Sequence, residues 1–567
     1  MSETSRKGGM GGGLVPGLYP PPAAMRPTLV GERWSVVAGH PLVAQVAAEV
    51  FEGGGNAVDA GVAAGLASNV VQVDMANFGG IAPILARPAS SPVSWSIAGV
   101  GRWSRSVTLD QILDRYGGRL PLDGAPAIVP GAPAGWIRAL ERFGTMSFSE
   151  VSRPARQLAR AGFILDANTA RSIQLTSQGF QAWESNREVY QPGGRVLGEG
   201  DRLVQPRLAD LLEHLAEAEI AVGGAREAGL RAAHEAFYRG EVAQRIVEWV
   251  SSRGGYLTLE DLGSFEAECE EAPRIDVQGW SVSSTPTWSQ GPIVLEMLGL
   301  LDRQGGSWHD IVQATTLAFN EREDFYSAPD RMEPGISELL RPERLDELAA
   351  MMTQQALPGR PGPGEAAGEA ILSTTAVVTM DAEGAAFAAS PSDTLDGGPI
   401  IPNLGIMCSP RGVQSRLDPG HPNRMAPGAR PTITPAAIIA LRGDDPWALA
   451  CPGGDVIVQA MAQVMWSVLT EGFDLQVAVE RPRIAAFNAP SAFHPHPSAD
   501  RFVFAEGRIP AEEIAVLRSR GHTVEVWPDF EFDAGSVQTI MSHRNPAGER
   551  YLTSGADPRR SAYALSR

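Results

Sequence analysis

A run with almost nothing to bury, QALPGRPGPGEAAGEA (355–370), interrupts this chain, and the segment ILSTTAVVTMDAEGAAFAAS begins directly after it. Proline and glycine at this density cannot build a core, so the run reads as a linker. The segment after it reads as a strand, a tight turn at Asp381–Gly384 and a second strand. Any fold for this chain must therefore join a long stretch and a shorter one at a slack linker, with a strand opening the shorter one.

The long stretch begins to look globular at Val36. PLVAQVAAEVFEGGGNAVDAGVAAGLASNVV (41–71) reads as two helices broken at Gly53-Gly54-Gly55, with Asn56 capping the second. NFGGIAPILARP and SVSWSIAGVGR read as short buried strands. Helical periodicity dominates from about 132 to 250. LTLEDLGSFEAECEEAPRIDVQGWSVSST returns to strand character, and a helix follows over 289–301. After the linker, strands alternate with Gly/Pro turns, with one apolar helix at 456–469. No period of 20–50 residues occurs, which excludes solenoids and propellers.

The chain has 567 residues, enough for one large unit or two closely packed halves. A net charge of −19 excludes a basic footprint for nucleic acid. No run of about 20 apolar residues is present to span a membrane. Residues 1–27 are rich in Gly and Pro, read as a disordered tail, and lack the apolar run of a secretory signal. Three cysteines without a CxxC pair point away from a disulfide framework and towards the cytoplasm. His494-Pro495-His496 lacks the further ligands of a metal site, so neither metal nor cofactor is expected. Cys451 reads as a core thiol, and GGGNAVDAG lacks the GK[ST] of a phosphate loop. Trp103 and Trp288 either line a pocket or pack.

Thr374 stands between the linker and the strand. If the bond before it breaks, the residue gains a free α-amine with an unperturbed pKa near ~8. Nucleophile and base then sit on one residue. Thr375 is the alternative, and an ordinary strand threonine is the plain reading of either.

Several further blocks occur in order: PGAPAGWIRALERFGTMSFSEVSRPARQLARAGF (130–163), AFYRGEVAQRIVEWV (236–250), GGYLTLEDL (254–262), SQGPIVLEML (289–298), LDPGHPN (417–423) and CPGGD (451–455). With GGGNAVDAGVAAG and the Thr374 segment, they make the chain resemble the γ-glutamyltransferase family of N-terminal-nucleophile hydrolases, over residues 35 to 563. The resemblance implies an α+β fold, the four-layer αββα sandwich of that class. It implies a precursor that cuts itself before Thr374, giving a large subunit, 28–373, and a small one, 374–567. Thr374 would be the nucleophile, Ser392 its hydroxyl partner, and Gly453 and Gly454 the oxyanion hole. Arg102, Thr394, Arg411, Gln414 and Asp455 would bind a small-molecule carboxylate substrate. No cofactor is implied, and a homo-oligomer is compatible.

The departures from the family pattern are as specific. Gln414 stands where an aspartate binds the substrate's α-amine, RPTITP (430–435) replaces a segment with paired serines, Thr394 replaces an asparagine and Ala376 a histidine. These changes remove charge-assisted contacts to a glutamyl group. GVGR, RG…LDPGHPN and PGGD are closer to a divergent branch that includes oxamate amidohydrolase and C–C-cleaving homologues of 4-alkylproline biosynthesis. The expected reaction is cleavage of an amide or oxalyl-type acyl bond through a Thr374 acyl-enzyme. Removal of an oxalyl group by C–C cleavage in making an alkylproline unit, γ-glutamyl hydrolysis or transfer, and a non-catalytic binding role are the other readings.

Overall fold

The computed structural model describes residues 24–121, 123–362, 373–393 and 398–567. Two seven-stranded antiparallel sheets form its centre. The first runs in the order Leu29–Gly31, Arg550–Ala556, Gln538–Arg544, Asp445–Ala450, Ala437–Arg442, Trp280–Ser284, Arg274–Val277. The second runs Tyr563–Ser566, Trp34–Ala38, Val377–Asp381, Ala386–Ala389, Ala82–Arg87, Trp95–Gly99, Cys269–Glu271.

Both sheets are buried on both faces, and the period of two along each strand divides their side chains between separate cores. In Trp34–Ala38, Val36 and Ala38 meet helices while Val37 meets the other sheet. In Ala437–Arg442, Ile438 and Ala440 meet helices while Ala437, Ile439 and Leu441 face inward. Helices Pro41–Glu52, Ala57–Val71 and Ala132–Phe143 cover the second sheet, with Phe148–Ala161 and Pro206–Val222 packed behind them. Helices Gly291–Gln304, Trp308–Phe325 and Val456–Glu471 cover the first. The layers are therefore helix, sheet, sheet, helix, as the resemblance implied.

Local expectations fare well where the signal is local. The first two helices break at the glycines, and Asn56 caps Ala57–Val71 through a reciprocal capping box with Asp59. The turn between Val377–Asp381 and Ala386–Ala389 closes on Gly384, whose φ of +85° suits glycine. Three expectations need correction. LTLEDL is not a strand: the Thr258 side chain caps Leu259–Gly263 through Asp261, and the strands start at Cys269. Val456–Glu471 is joined after the linker by two further helices, Leu475–Glu480 and Ala511–Ser519. The first half of the linker is pinned to the body, because Gly359 N donates to Asp500 and Arg360 N to the Asn488 carbonyl. Its residues 363–370 lie outside the described residues, as do residues 1–23 of the expected tail. At the end of that tail, the Met25 and Arg26 amides donate to Glu480.

Asp59 ties the helical layer together. Fully buried, it accepts from Asn56 N at 3.0 Å, Thr145 N at 2.9 Å, Thr145 Oγ1 at 2.6 Å and Met146 N at 3.1 Å. Asp59→Ala removes a fully buried carboxylate that four part-buried donors share. It should lower the unfolding free energy by about 3 kcal/mol in chemical denaturation. A loss below about 1 kcal/mol would show that water replaces the carboxylate.

Candidate active site

Thr374 is fully buried and pairs with Ser392 through an isolated antiparallel bridge, just ahead of strand Val377–Asp381. Its Oγ1 lies 2.9 Å from Ser392 Oγ. Ser392 Oγ donates to the Ser373 carbonyl at 2.6 Å, and it accepts from Arg411 Nη2. A hydroxyl has one proton to give. Since that proton goes to the Ser373 carbonyl, the Thr374 hydroxyl must be the donor to Ser392. The carbonyl so polarised belongs to the Ser373–Thr374 peptide bond. Thr375 turns away and donates to Gln72 Oε1 at 2.8 Å.

Arg411 carries the positive charge of this group and is itself fully buried. Its Nε donates to Asp393 Oδ1 at 2.5 Å, its Nη1 to Gln414 Oε1 at 3.0 Å, and its guanidinium lies 5.7 Å from the Phe493 ring centroid. Burial pushes the Arg411 pKa down, and the Asp393 carboxylate opposes that. Gln414 Nε2 donates to Thr434 Oγ1 at 3.3 Å, so RPTITP borders the group. Asp393 holds a φ of +91°, an uncommon conformation for a residue with a side chain. Thr394, next in sequence, lies outside the described residues.

Gly453 and Gly454 adopt φ of +137° and +59° ahead of helix Val456–Glu471. A side chain at Gly453 would strain the backbone. Among the described residues neither N–H donates to a protein acceptor. Both glycines and Ser373 line one cavity of about 520 Å³. Asp455 lines it too, but its carboxylate is engaged by Gln290 Nε2 at 2.7 Å, Arg322 Nη1 at 2.9 Å and Ala492 N at 2.9 Å. It braces the glycine turn.

Thr374, Ser392, Arg411 and Gln414 are thus brought into one hydrogen-bonded network. Arg102 is held elsewhere: its guanidinium donates to Glu268 at 3.0 Å, Asp330 at 3.1 Å and the Gly428 carbonyl at 3.3 Å. None of those partners belongs to the Thr374 network. Trp103 and Trp288 are fully buried together in an apolar cluster, so they pack. Cys451 is buried, its thiol pushed up to about 12 by desolvation. His496 is buried with Nδ1 at 3.0 Å from the Ser491 carbonyl, and among the described residues no group of metal-ligating side chains assembles.

Sequence reasoning missed Asp393, Thr434 and Asp74. The first two are small polar residues in irregular segments, with no periodicity to mark them. Asp74 lines a void of about 20 Å³ together with Thr374, Thr375, Gln72 and Arg560. Its Oδ1 is buried without a hydrogen-bond partner. Burial pushes its pKa up to about 6. The native state then holds this proton more tightly than the unfolded chain, so stability falls as pH rises from the ordinary carboxylate value through about 6. Asp74→Asn imitates the protonated form. The variant should match the wild type at pH 4 and exceed it by up to about 3 kcal/mol at pH 7.5. Denaturation of both proteins at the two pH values checks this, and an equal difference at both would refute it.

The profile of the gamma-glutamyltranspeptidase family matches residues 43–566. The glutathione hydrolase-like YwrD proenzyme of Bacillus subtilis (strain 168) is 27% identical, over 95% of this chain and 100% of its own. The oxamate amidohydrolase proenzyme of Klebsiella pneumoniae is 28% identical, over 95% and 99%. Among solved structures, LmbA2991HD superposes with a TM-score of 0.87 at 29% identity, over 96% of this chain and 100% of that one. The cephalosporin acylase of Bacillus halodurans gives 0.84 at 26% identity, over 98% and 99%. Among the described residues no helix is long and apolar enough to cross a membrane. With its two stacked sheets and a family match that spans nearly the whole fold, this chain belongs to the gamma-glutamyltranspeptidase family of N-terminal-nucleophile hydrolases.

Proposed function

We propose that the chain is a precursor that cuts itself before Thr374 and then hydrolyses an acyl bond of a small carboxylate-bearing substrate. One observation carries the reading: Ser392 donates to the Ser373 carbonyl while accepting from the Thr374 hydroxyl and Arg411. In self-cleavage, Thr374 Oγ1 adds to the Ser373 carbonyl carbon and the Ser373–Thr374 C–N bond breaks. The hydroxyl proton ends on the Thr374 nitrogen. Water then hydrolyses the ester, leaving Ser373 with a carboxylate and Thr374 with a free amine. The products are 28–373, with whatever of the tail remains, and 374–567. The proenzyme names of the relatives support this order of events.

In turnover the freed amine takes the Thr374 hydroxyl proton as Oγ1 attacks the substrate carbonyl. The N–H groups of Gly453 and Gly454 receive the developing oxyanion. The leaving group departs with the proton from the amine, and water releases the acyl group by the same path. Ser392, held by Arg411, keeps the nucleophile oriented throughout.

A glutamyl group fits this site poorly. Gln414 is neutral, and its Oε1 is already taken by Arg411. The carboxylate of this network, Asp393, already neutralises Arg411, so an α-ammonium brought there would be desolvated without a counter-charge to spare. The relative named oxamate amidohydrolase supports a smaller acyl group lacking that ammonium.

Intact mass of the purified protein should show cleavage between Ser373 and Thr374, and Thr374→Ala should stay a single precursor. A new N-terminus at Thr375 would overturn the choice of nucleophile. Ser392→Ala removes one hydroxyl donor from the scissile carbonyl. It should slow self-cleavage by roughly 10²–10³-fold, followed as the fraction cut over time.

With a chromogenic γ-glutamyl anilide, kcat/KM should fall well below about 10⁴ M⁻¹s⁻¹, the lower end for an enzyme's own substrate. A value at or above that would show that the pocket does accommodate the α-ammonium.

A further inference from the structure

The cavity of about 520 Å³ beside Ser373, Gly453 and Gly454 has a wall whose composition the proposed reaction does not use. That wall is a face of the three-stranded sheet Ile484–Ala486, Phe502–Glu506, Thr523–Trp527. The period of two sends Val503 and Ala505 into the core, while Phe502 and Phe504 remain half-buried on the cavity side. Trp527 stacks on Phe504 with ring centroids 4.7 Å apart, and Phe487 meets Phe504 edge-on at 5.6 Å. This is a preformed apolar surface, and its volume is that of a small-molecule site.

The same cavity has a cation in its lining. Arg560 borders both this cavity and the small void at Thr374. Its Nε donates to the Phe532 carbonyl at 3.2 Å, and its guanidinium lies over the Phe532 ring at 3.9 Å. Among the described residues no carboxylate lies within ion-pair distance of it. Its neighbour in sequence differs completely: Arg559 binds Glu506 at 2.6 Å and Asp557 at 3.1 Å. The charge of Arg102 is likewise matched by Glu268 and Asp330, and that of Arg411 by Asp393. Burial pushes the Arg560 pKa down, opposed by carboxylates that stand beyond ion-pair distance, among them Asp533 in the same cavity lining and Asp74 in the small void.

We propose that this cavity is a substrate subsite for a flat apolar group bearing a carboxylate, with the ring against Phe504 and Trp527 and the carboxylate on Arg560. A guanidinium holds a carboxylate through two parallel hydrogen bonds, so it fixes direction as well as charge. The aromatic wall supplies apolar area beside it. Continuity with Ser373 and the glycine turn puts the bound group next to the bond that reacts. The position of this subsite relative to the chemistry rests on the reading of Thr374 as nucleophile; the binding itself does not.

Calorimetric titration with 3-phenylpropionate, 3-phenylpropionamide and propionate tests the proposal without turnover. The acid should bind the purified wild-type protein with a Kd below about 1 mM. Arg560→Gln should weaken the acid at least about tenfold and leave the amide unchanged. Arg560→Lys should recover only part of the loss, because an ammonium lacks the planar fork. Trp527→Ala should weaken acid and amide alike by about fivefold, and propionate should bind far more weakly than the ring-bearing acid. No heat with the acid at 10 mM, taken as roughly ten times the expected Kd, would overturn the proposal. So would unchanged acid binding in Arg560→Gln. Intact mass on the same samples reports self-cleavage separately: an uncut protein that binds the acid refutes the Thr374 reading alone, and a cut protein that does not bind refutes this one alone.

Discussion

Strand Val377–Asp381 pairs along one edge with Trp34–Ala38, far ahead of the linker, and along the other with Ala386–Ala389, just after it. The same mixing recurs in the first sheet, where Ala437–Arg442 pairs with Trp280–Ser284 and Arg550–Ala556 with Leu29–Gly31. Neither side of the linker owns either seven-stranded sheet or the core between them. Breaking the chain ahead of Thr374 would therefore free an amine without freeing a domain, since the ladders and the inter-sheet core would still hold the pieces together. An N-terminus made at Thr374 would stay bridged to Ser392 just ahead of that strand rather than fray.

Two of the buried charge groups are handled differently. Arg411 is neutralised by Asp393 and spends its remaining donors on Ser392, Gln414 and Thr434. Its work is internal, holding the hydroxyl beside Thr374 in one orientation. In the other group, Arg559, Arg483, Glu506 and Asp557 form a closed cluster that anchors the C-terminal segment. That anchor fixes the backbone carrying Arg560, which has no carboxylate within ion-pair distance among the described residues. Buried charge is costly unless paired, and these adjacent arginines differ in whether a carboxylate lies within ion-pair distance.

Much of the fold was legible because its signals are local. Helix breaks at glycine, the Asn56 cap, the turn at Gly384 and the apolar run of Val456–Glu471 each depend on residues within a few positions of one another. LTLEDL was misread because a capping box outweighs a short apolar alternation, and Thr258 and Asp261 supply one. In the site, Thr374 stood out through its place after the linker, and Ser392, Gly453 and Gly454 through family spacing.

The sequence by itself determined the two helices split at the glycines, the apolar helix near 456–469, the linker, the threonine behind it and the neutral side chain of Gln414. Only the tertiary structure decided which arginine meets carboxylates and which, among the described residues, has none within ion-pair distance. Arg102 reads like a ligand for a carboxylate until Glu268 and Asp330, distant in sequence, are found on its guanidinium. Arg560 has no local mark at all, yet folding brings it to a cavity shared with Phe504, Trp527 and Ser373. The reason is physical: periodicity and capping act over single turns and strands, whereas the pairing of a charge depends on what the whole chain brings within a few ångströms of it.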